Sequence, residues 1–335
     1  MPSHFIQPLK LGNKIFPNNL IQGPLAGISC APFRKLTWQY SKPAFSCTEM
    51  ISCKTLIHER KFAEQRFIRK DSAEGALCVQ LSGNQPNELA IATQYATESG
   101  ADLIDLNCGC PVKKIRGRGA GSSLLTNANR LYALIRAMKT NTHLPVSIKI
   151  RVEGSGNEKF HQELVKAISD AETDYLIVHG RHWTEHYETP CHHDNIQFFV
   201  ENLKIPVIGN GDITDLESLN TMFKTGCAGV MIGRSGVGQP WLIRQLMAEM
   251  HDEKFTAPSN AEIKSLFLQH VAQLAEMLGN EKFAILQSRK FAKYYARTLP
   301  NRNEFSQEVN QCDAFEKLKA ICAKYFACTS PQDFL

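Results

Sequence analysis

A parallel (β/α)8 TIM barrel followed by a smaller all-helical domain is the fold class that this sequence predicts. Eight short β-rich runs lie between about residue 18 and residue 234, segments of helical period separate them, and after Trp241 the pattern is helical alone. Strands that alternate with helices pair in parallel, and eight such units over about 220 residues fit a closed barrel better than an open doubly wound sheet.

Each element has its own justification. The first two runs are Asn19-Leu20-Ile21-Gln22-Gly23 and Ala44-Phe45-Ser46-Cys47-Thr48. The third, Ala76-Leu77-Cys78-Val79-Gln80-Leu81, precedes a helix over 86–99 with apolar Leu89, Ile91, Ala92, Tyr95 and Ala96 and a terminating Gly100. Leu103-Ile104-Asp105-Leu106-Asn107 is the fourth, and a long connection over 108–126, rich in glycine and basic residues, follows it. Long loops after barrel strands are where chemistry collects. The fifth to eighth runs are 146–150, 175–179, 207–210 and 229–233, with a helix over 160–171 between the fifth and sixth. Beyond Trp241, helices are expected over 242–250, 260–278, 283–299 and 314–327, and residues 254–259, containing Pro258, read as a linker. The expected domains are therefore 1–249 and 250–335.

The chain has 335 residues, 43% of them hydrophobic and 21% charged, which supplies a core and excludes wholesale disorder. No run approaches the length of a membrane span, and Met1-Pro2-Ser3-His4-Phe5 lacks a charged segment leading into an apolar one. A cytoplasmic monomer is expected. Eleven cysteines, at 30, 47, 53, 78, 108, 110, 191, 227, 312, 322 and 328, include no Cys-x-x-Cys pair, so reduced and mostly buried thiols are expected. His182, His186, Cys191, His192 and His193 lie close together, but Pro190 and the lack of helical period make that segment a polar loop, and no metal is expected.

The net charge of +5 is mild, and its distribution says more. Lys113, Lys114, Arg116 and Arg118 crowd into six residues, while 282–303 holds Lys282, Arg289, Lys290, Lys293, Arg297 and Arg302 with no acid. Each cluster is either a solvated basic face or a phosphate contact.

Function in such a barrel gathers at the C-terminal ends of the strands. There the sequence places Pro24-Leu25-Ala26-Gly27, Thr48-Glu49-Met50, Gln80, Asn107-Cys108-Gly109-Cys110-Pro111, Lys149 and Arg151, His179-Gly180-Arg181, Asn210-Gly211-Asp212 and Gly233-Arg234. Glycine-rich loops after the last two strands, each opening a helix, expose backbone N–H groups to a phosphate, and Arg234 adds a guanidinium. Gln80, Lys149 and His179 are placed to hydrogen-bond a flat polar ring above it. Flavin mononucleotide fits, and a sugar phosphate fits the same spacing. Cys110, between Gly109 and Pro111, is a proton donor, a nucleophile or an inert buried thiol on local sequence alone.

These residues resemble those of the tRNA-dihydrouridine synthases. That family's signature is a strand running into Asn-x-Gly-Cys-Pro, then an aliphatic residue, then Gly and a small residue. It is met by Asn107-Cys108-Gly109-Cys110-Pro111, Ile115 and Gly121-Ser122. The resemblance extends through Pro32-Phe33-Arg34, Val79-Gln80-Leu81, Lys149-Ile150-Arg151, Asn210-Gly211-Asp212-Ile213, Pro240-Trp241, Arg289-Lys290 and Tyr294-Tyr295, so it covers nearly the whole chain. It implies an FMN-dependent barrel whose helical domain grips a tRNA, with NADPH as electron donor for reduction of a uridine C5=C6 bond. It also implies hydride delivery to C6 and proton donation to C5 by Cys110. Carried over by position, Pro24, Leu25, Ala26, Gly27, Gln80, Lys149 and His179 would adjoin the isoalloxazine. Asn210, Gly211, Asp212, Gly233 and Arg234 would hold the phosphate, and Asn107, Arg151 and Arg181 the uracil region. On this reading Lys113, Lys114, Arg116 and Arg118 and then Arg289, Lys290, Lys293 and Arg297 become tRNA contacts.

Departures occur at His182-Trp183, where the family has Thr and often a basic residue, at Asp194-Asn195 and at Gly23-Pro24-Leu25. Val112-Lys113-Lys114-Ile115 and Ala120-Gly121-Ser122 look most like the bacterial B branch. The competing reading is a flavin-dependent barrel oxidoreductase for a small molecule, similar to dihydroorotate dehydrogenase. A non-catalytic RNA-binding descendant is a third.

Overall fold

The chain starts with a hairpin that the sequence reading does not include. In the computed structural model, which describes residues 5–151 and 158–327, strands β1 (Leu9–Leu11) and β2 (Lys14–Phe16) pair antiparallel about Gly12. Three-residue strands leave too little periodicity to read. Leu9, Leu11 and Phe16 pack against Ile21, Phe45, Tyr175, Ile208 and Met231, closing the N-terminal end of the barrel with apolar side chains.

The barrel strands are β3 (Leu20–Gln22), β4 (Ser46–Cys47), β6 (Leu77–Ser82), β7 (Leu103–Cys108), β8 (Val146–Arg151), β9 (Tyr175–His179), β10 (Val207–Asn210) and β11 (Gly229–Ile232), with a two-residue β5 (Ile51–Ser52) added beside β6. All neighbours pair in parallel, and β11 returns to β3 to close the ring. Covered on both faces, β7 to β11 read as apolar runs. Helices between the strands supply the outer layer. Pro86 opens one of them, and Asp215 with Ser218 forms a capping box on another.

Beyond the barrel lie the helices Asn260–Leu278, Glu281–Ser288, Ala292–Tyr295, Arg302–Gln311 and Phe315–Tyr325. Ser259 caps the first of these in a reciprocal box with Glu262. The single helix expected over 283–299 is two helices. After Gln287 and Ser288 the amides of Lys290 and Phe291 bond three residues back, tightening the chain, so that Phe291 and Tyr295 both reach Phe267 and His270. Arg302–Gln311 carries only Phe305 and Val309 as buried apolar residues, too thin a stripe to read as a helix. The apolar core of this region runs on into Cys30, Phe33 and Leu36 of the barrel's first helix and into Val237 and Trp241.

Among the described residues no helix is long and apolar enough to cross a membrane, no group of side chains is placed to hold a metal ion, and ten cysteines are free thiols. Cys328 and the outer ends of both expected domains, 1–4 and 328–335, lie outside the described residues.

His270 gives the fold a pH dependence. It is fully buried, stacked on Phe291 at 4.2 Å and hydrogen-bonded through Nδ1 to the Tyr295 hydroxyl at 3.1 Å. Burial pushes its pKa down to about 3. Below pH 6.5 the unfolded chain takes up a proton that the folded chain refuses, so stability falls as the pH drops from about 6.5 towards 3. Relative to His270→Gln, wild type is expected to lose about 1.4 kcal/mol per pH unit across that window in urea titrations. Parallel pH profiles would remove His270 from the account.

Candidate active site

The strand register sets out the site. Gln80 lies opposite Asp105, Asp105 opposite Ser147, Asn107 opposite Lys149, Arg151 opposite His179, and His179 opposite Asn210. Side chains at alternate positions point into the barrel, so these polar residues converge while Ile104, Leu106 and Ile148 face the helices. Above them opens a cavity of about 910 Å³. Its lining includes Pro24, Leu25, Ala26, Gln80, Asn107, Cys110, Lys149, Arg151, His179, Arg181, Asn210, Gly211, Asp212, Gly233 and Arg234 of the barrel, and Lys293, Tyr294, Arg297 and Arg302 of the helical region. Most of the residues expected at the site are thus brought together.

Cys110 sits at the mouth, half-buried, whereas Cys108 two residues earlier is fully buried in the outer core. Asn107 Oδ1 accepts from the Cys110 amide at 3.0 Å, and Asn107 Nδ2 donates to Gln80 Oε1 at 2.9 Å. Gln80 Nε2 in turn donates to Asp105 Oδ2 at 2.7 Å. Lys149 Nζ donates to Asn210 Oδ1 at 2.7 Å, and Asn210 Nδ2 to the Met231 carbonyl at 2.8 Å. Burial lowers the Lys149 pKa to about 8, with Arg151 adding to the effect. Burial, then the charges of Lys149, Arg151, Arg181 and Arg234, drive the His179 pKa far down, so this ring is neutral. Arg181 Nη1 lies 3.4 Å from His179 Nε2. A guanidinium only donates, so Nε2 accepts and Nδ1 carries the proton.

Several expected contacts are reassigned. Arg181, expected at the uracil, is 1% exposed and spends its donors on the Thr189 and Tyr187 carbonyls, Asp212 and His179. It holds the loop after β9 and is not free to hold a base. Asp212, expected at a phosphate, has its carboxylate on Arg181 and the Cys191 amide (3.0 Å), with Arg234 Nη2 at 3.9 Å. The Asp212 backbone is held in the left-handed region at φ 51°, and its side chain keeps 39% of its surface exposed. Gly27 stands outside the lining; its amide donates to Glu49 Oε2, and Glu49 Oε1 pairs with Arg66 at 2.9 Å. Arg297, expected on tRNA phosphates, bonds the Ser235, Val237 and Tyr294 carbonyls and Gln239 Oε1, tying the helical region to the turn after β11. Arg289 donates to the Cys312 carbonyl, and the Arg116 guanidinium lies 3.2 Å from the centre of the Trp183 ring. Lys113, Lys114, Arg118, Lys290 and Lys293 remain exposed.

Two neighbours were missed. Tyr187 covers Arg234, whose guanidinium carbon is 3.4 Å from the ring centre, with Arg151 at 5.4 Å; a lone tyrosine in a polar loop carries no signal of this. Asp105 was legible in principle, since it shares the inward period-two face with Asn107.

The site has room for a phosphorylated group. A Cβ at Gly233 would meet nothing within 4 Å, and the turn Arg234–Gly236 follows it directly. With Lys149, Arg151, Arg234, Lys293 and Arg302 on the lining and the Asp212 carboxylate already paired, the cavity favours an anion.

Known proteins agree with this architecture. The old yellow enzyme homologue from Zymomonas mobilis superposes with a TM-score of 0.54 at 13% identity, over 76% of this chain and 94% of that one. A morphinone reductase variant in complex with tetrahydroNAD gives 0.56 at 12%, over 78% and 94%. These likenesses show the closed parallel barrel fold. In sequence, the probable tRNA-dihydrouridine synthase of Rickettsia conorii is 33% identical over 95% of this chain and 96% of its own length. The tRNA-dihydrouridine synthase B of Escherichia coli is 31% identical over 95% and 99%. The family model described as dihydrouridine synthase matches residues 21–329. Matched so over nearly its whole length, the chain belongs to the dihydrouridine synthase family.

Proposed function

We propose that the protein reduces the C5=C6 bond of a uridine in tRNA, with FMN as its cofactor, NADPH as electron donor and Cys110 as proton donor. The observation that carries this reading is one cavity walled both by the polar strand ends around Cys110 and by Lys293 and Arg302 of the helical region. A small molecule has no need of that second wall, whereas a polynucleotide held by its phosphates, with one base turned into the barrel, does. We assign 1–249 as the FMN-binding catalytic domain and 250–335 as the tRNA-binding domain, in a cytoplasmic monomer.

The residues fit the cofactor. Gly233, the Arg234 side chain and the backbone of Gly211 and Asp212 would hold its phosphate. Lys149, the Nδ1–H of neutral His179 and the remaining Gln80 N–H would meet the ring's polar edge, and Pro24 to Ala26 would lie against it. Bound FMN supplies the hydride for C6. Cys110 delivers the proton to C5 from its thiol, a general-acid role that needs the sulfur held still, and Asn107 holds its amide. Arg151 is the guanidinium available to the uracil region, because Arg181 is committed. Lys113, Lys114, Arg118, Lys290 and Lys293 supply exposed cations for phosphates, and binding should weaken steeply as salt rises.

Arg234→Ala is expected to weaken FMN retention by roughly 10–100-fold, the worth of a charge-assisted hydrogen bond. Flavin absorbance after gel filtration reads this, and full loading would argue against the phosphate site. The reading itself is tested by offering the flavin-loaded protein NADPH with unmodified tRNA, free uridine or orotate. Dihydrouridine formed in tRNA alone supports it; reduction of orotate to dihydroorotate and none of tRNA establishes the small-molecule oxidoreductase instead.

A further inference from the structure

Asp105 takes no part in the chemistry described above, yet it stands at the root of the hydrogen bonds that end on Cys110. It is 1% exposed. Its Oδ1 accepts from Ser147 Oγ at 2.6 Å and its Oδ2 from Gln80 Nε2 at 2.7 Å. Gln80 Oε1 accepts from Asn107 Nδ2 at 2.9 Å, and Asn107 Oδ1 from the Cys110 amide at 3.0 Å.

We infer that Asp105 is a positioning residue for Cys110, setting the direction of a relay through Gln80 and Asn107. Each amide side chain can flip, exchanging its oxygen for its nitrogen, and an isolated Gln–Asn pair satisfies itself in either sense. An ionised carboxylate only accepts. It therefore requires Nε2 of Gln80 to face it, which leaves Oε1 to face Asn107, which in turn leaves Asn107 Oδ1 to face the Cys110 N–H. Flipped, the relay would set the Asn107 NH2 against that N–H, donor against donor, and push the cysteine turn away. Gly109 and Gly121 crowd the same turn: a Cβ at Gly121 would lie 2.7 Å from the Cys110 carbonyl, so the turn has one tight seat to lose. Burial raises the Asp105 pKa to about 6, which leaves it ionised at neutral pH.

The inference rests on Cys110 acting as proton donor, so its test uses two readouts. In Asp105→Asn the new NH2 can face Gln80 Oε1, and the direction is imposed by the Cys110 N–H alone. Turnover on tRNA should fall about tenfold or more with KM within about threefold, as for a misplaced reacting group. Alkylation of Cys110 by iodoacetamide, followed on its own peptide by mass spectrometry, should change by at least about threefold. The decisive variant is Asp105→Asn with Gln80→Glu, which moves the acceptor-only group one step along. The amide introduced at position 105 then donates to the carboxylate introduced at position 80 and accepts from Ser147. That carboxylate accepts from Asn107, and the net charge is unchanged. The Cys110 alkylation rate of the double variant should return to within about twofold of wild type, which a mere packing role would not produce. An alkylation rate in Asp105→Asn equal to that of wild type, or a double variant no closer to wild type than the single one, overturns the relay. Should the single variant not fold, the double variant decides alone; its failure to fold would also count against the relay, since it leaves every donor facing an acceptor. If wild type reduces no tRNA, the proposed function fails while the alkylation arm still tests the relay.

Discussion

Replacing Cys110 by alanine is expected to cut dihydrouridine formation by about 10²-fold or more while flavin stays bound, because the change removes a general acid and no cofactor contact. Cys110 stands on the cavity wall, and its amide is fixed by Asn107. Cysteines 47, 78, 108 and 191 near the same strands are buried, and burial pushes the Cys108 thiol well above its usual range and that of Cys191 to about 11. None of these can stand in for a donor at the mouth. Single-turnover reduction of unmodified tRNA by the pre-reduced enzyme gives the comparison directly, and turnover equal to wild type would take the cysteine out of the mechanism.

The largest expected stability effect belongs to Glu74→Ala. Arg34 and Glu74 form an ion pair at 2.8 Å with both side chains fully buried. Arg34 also donates to the carbonyls of Ser29, Phe67 and Arg69, joining the end of the first loop to the segment before β6. Removing the carboxylate leaves a guanidinium in the interior with its Nε unpaired, a loss of about 3–5 kcal/mol. Against a total of about 5–15 kcal/mol for a folded domain, this approaches unfolding. Urea denaturation should show it as a lower midpoint, with weakened flavin binding because Pro24 to Ala26 belong to the same loop. A loss under about 1 kcal/mol would mean that water reaches the arginine.

The eight strands were legible because parallel strands buried on both faces are dense apolar runs, and their ends fall within two residues of the expected places. Local signals that depend on length failed: the hairpin around Gly12 and the two-residue β5 are too short for a period. The break after Ser288 was hidden for another reason. A helical stripe continues through 283–299, but His270 and Phe267 draw Phe291 and Tyr295 inward, and tertiary packing overrides the pattern. At the site, residue types were readable and their obligations were not. Sequence shows that Arg181, Arg297 and Asp212 are charged; only the fold shows that Thr189, Tyr187, Ser235, Val237 and Arg181 itself already engage them.

Reduction of a tRNA uridine is read by nucleoside mass spectrometry of tRNA. The protein would be expressed in a strain whose tRNA lacks dihydrouridine. A nucleoside about two mass units above uridine is expected, at a defined tRNA position and absent with Cys110→Ala. A folded, flavin-loaded protein that leaves tRNA unchanged would contradict it.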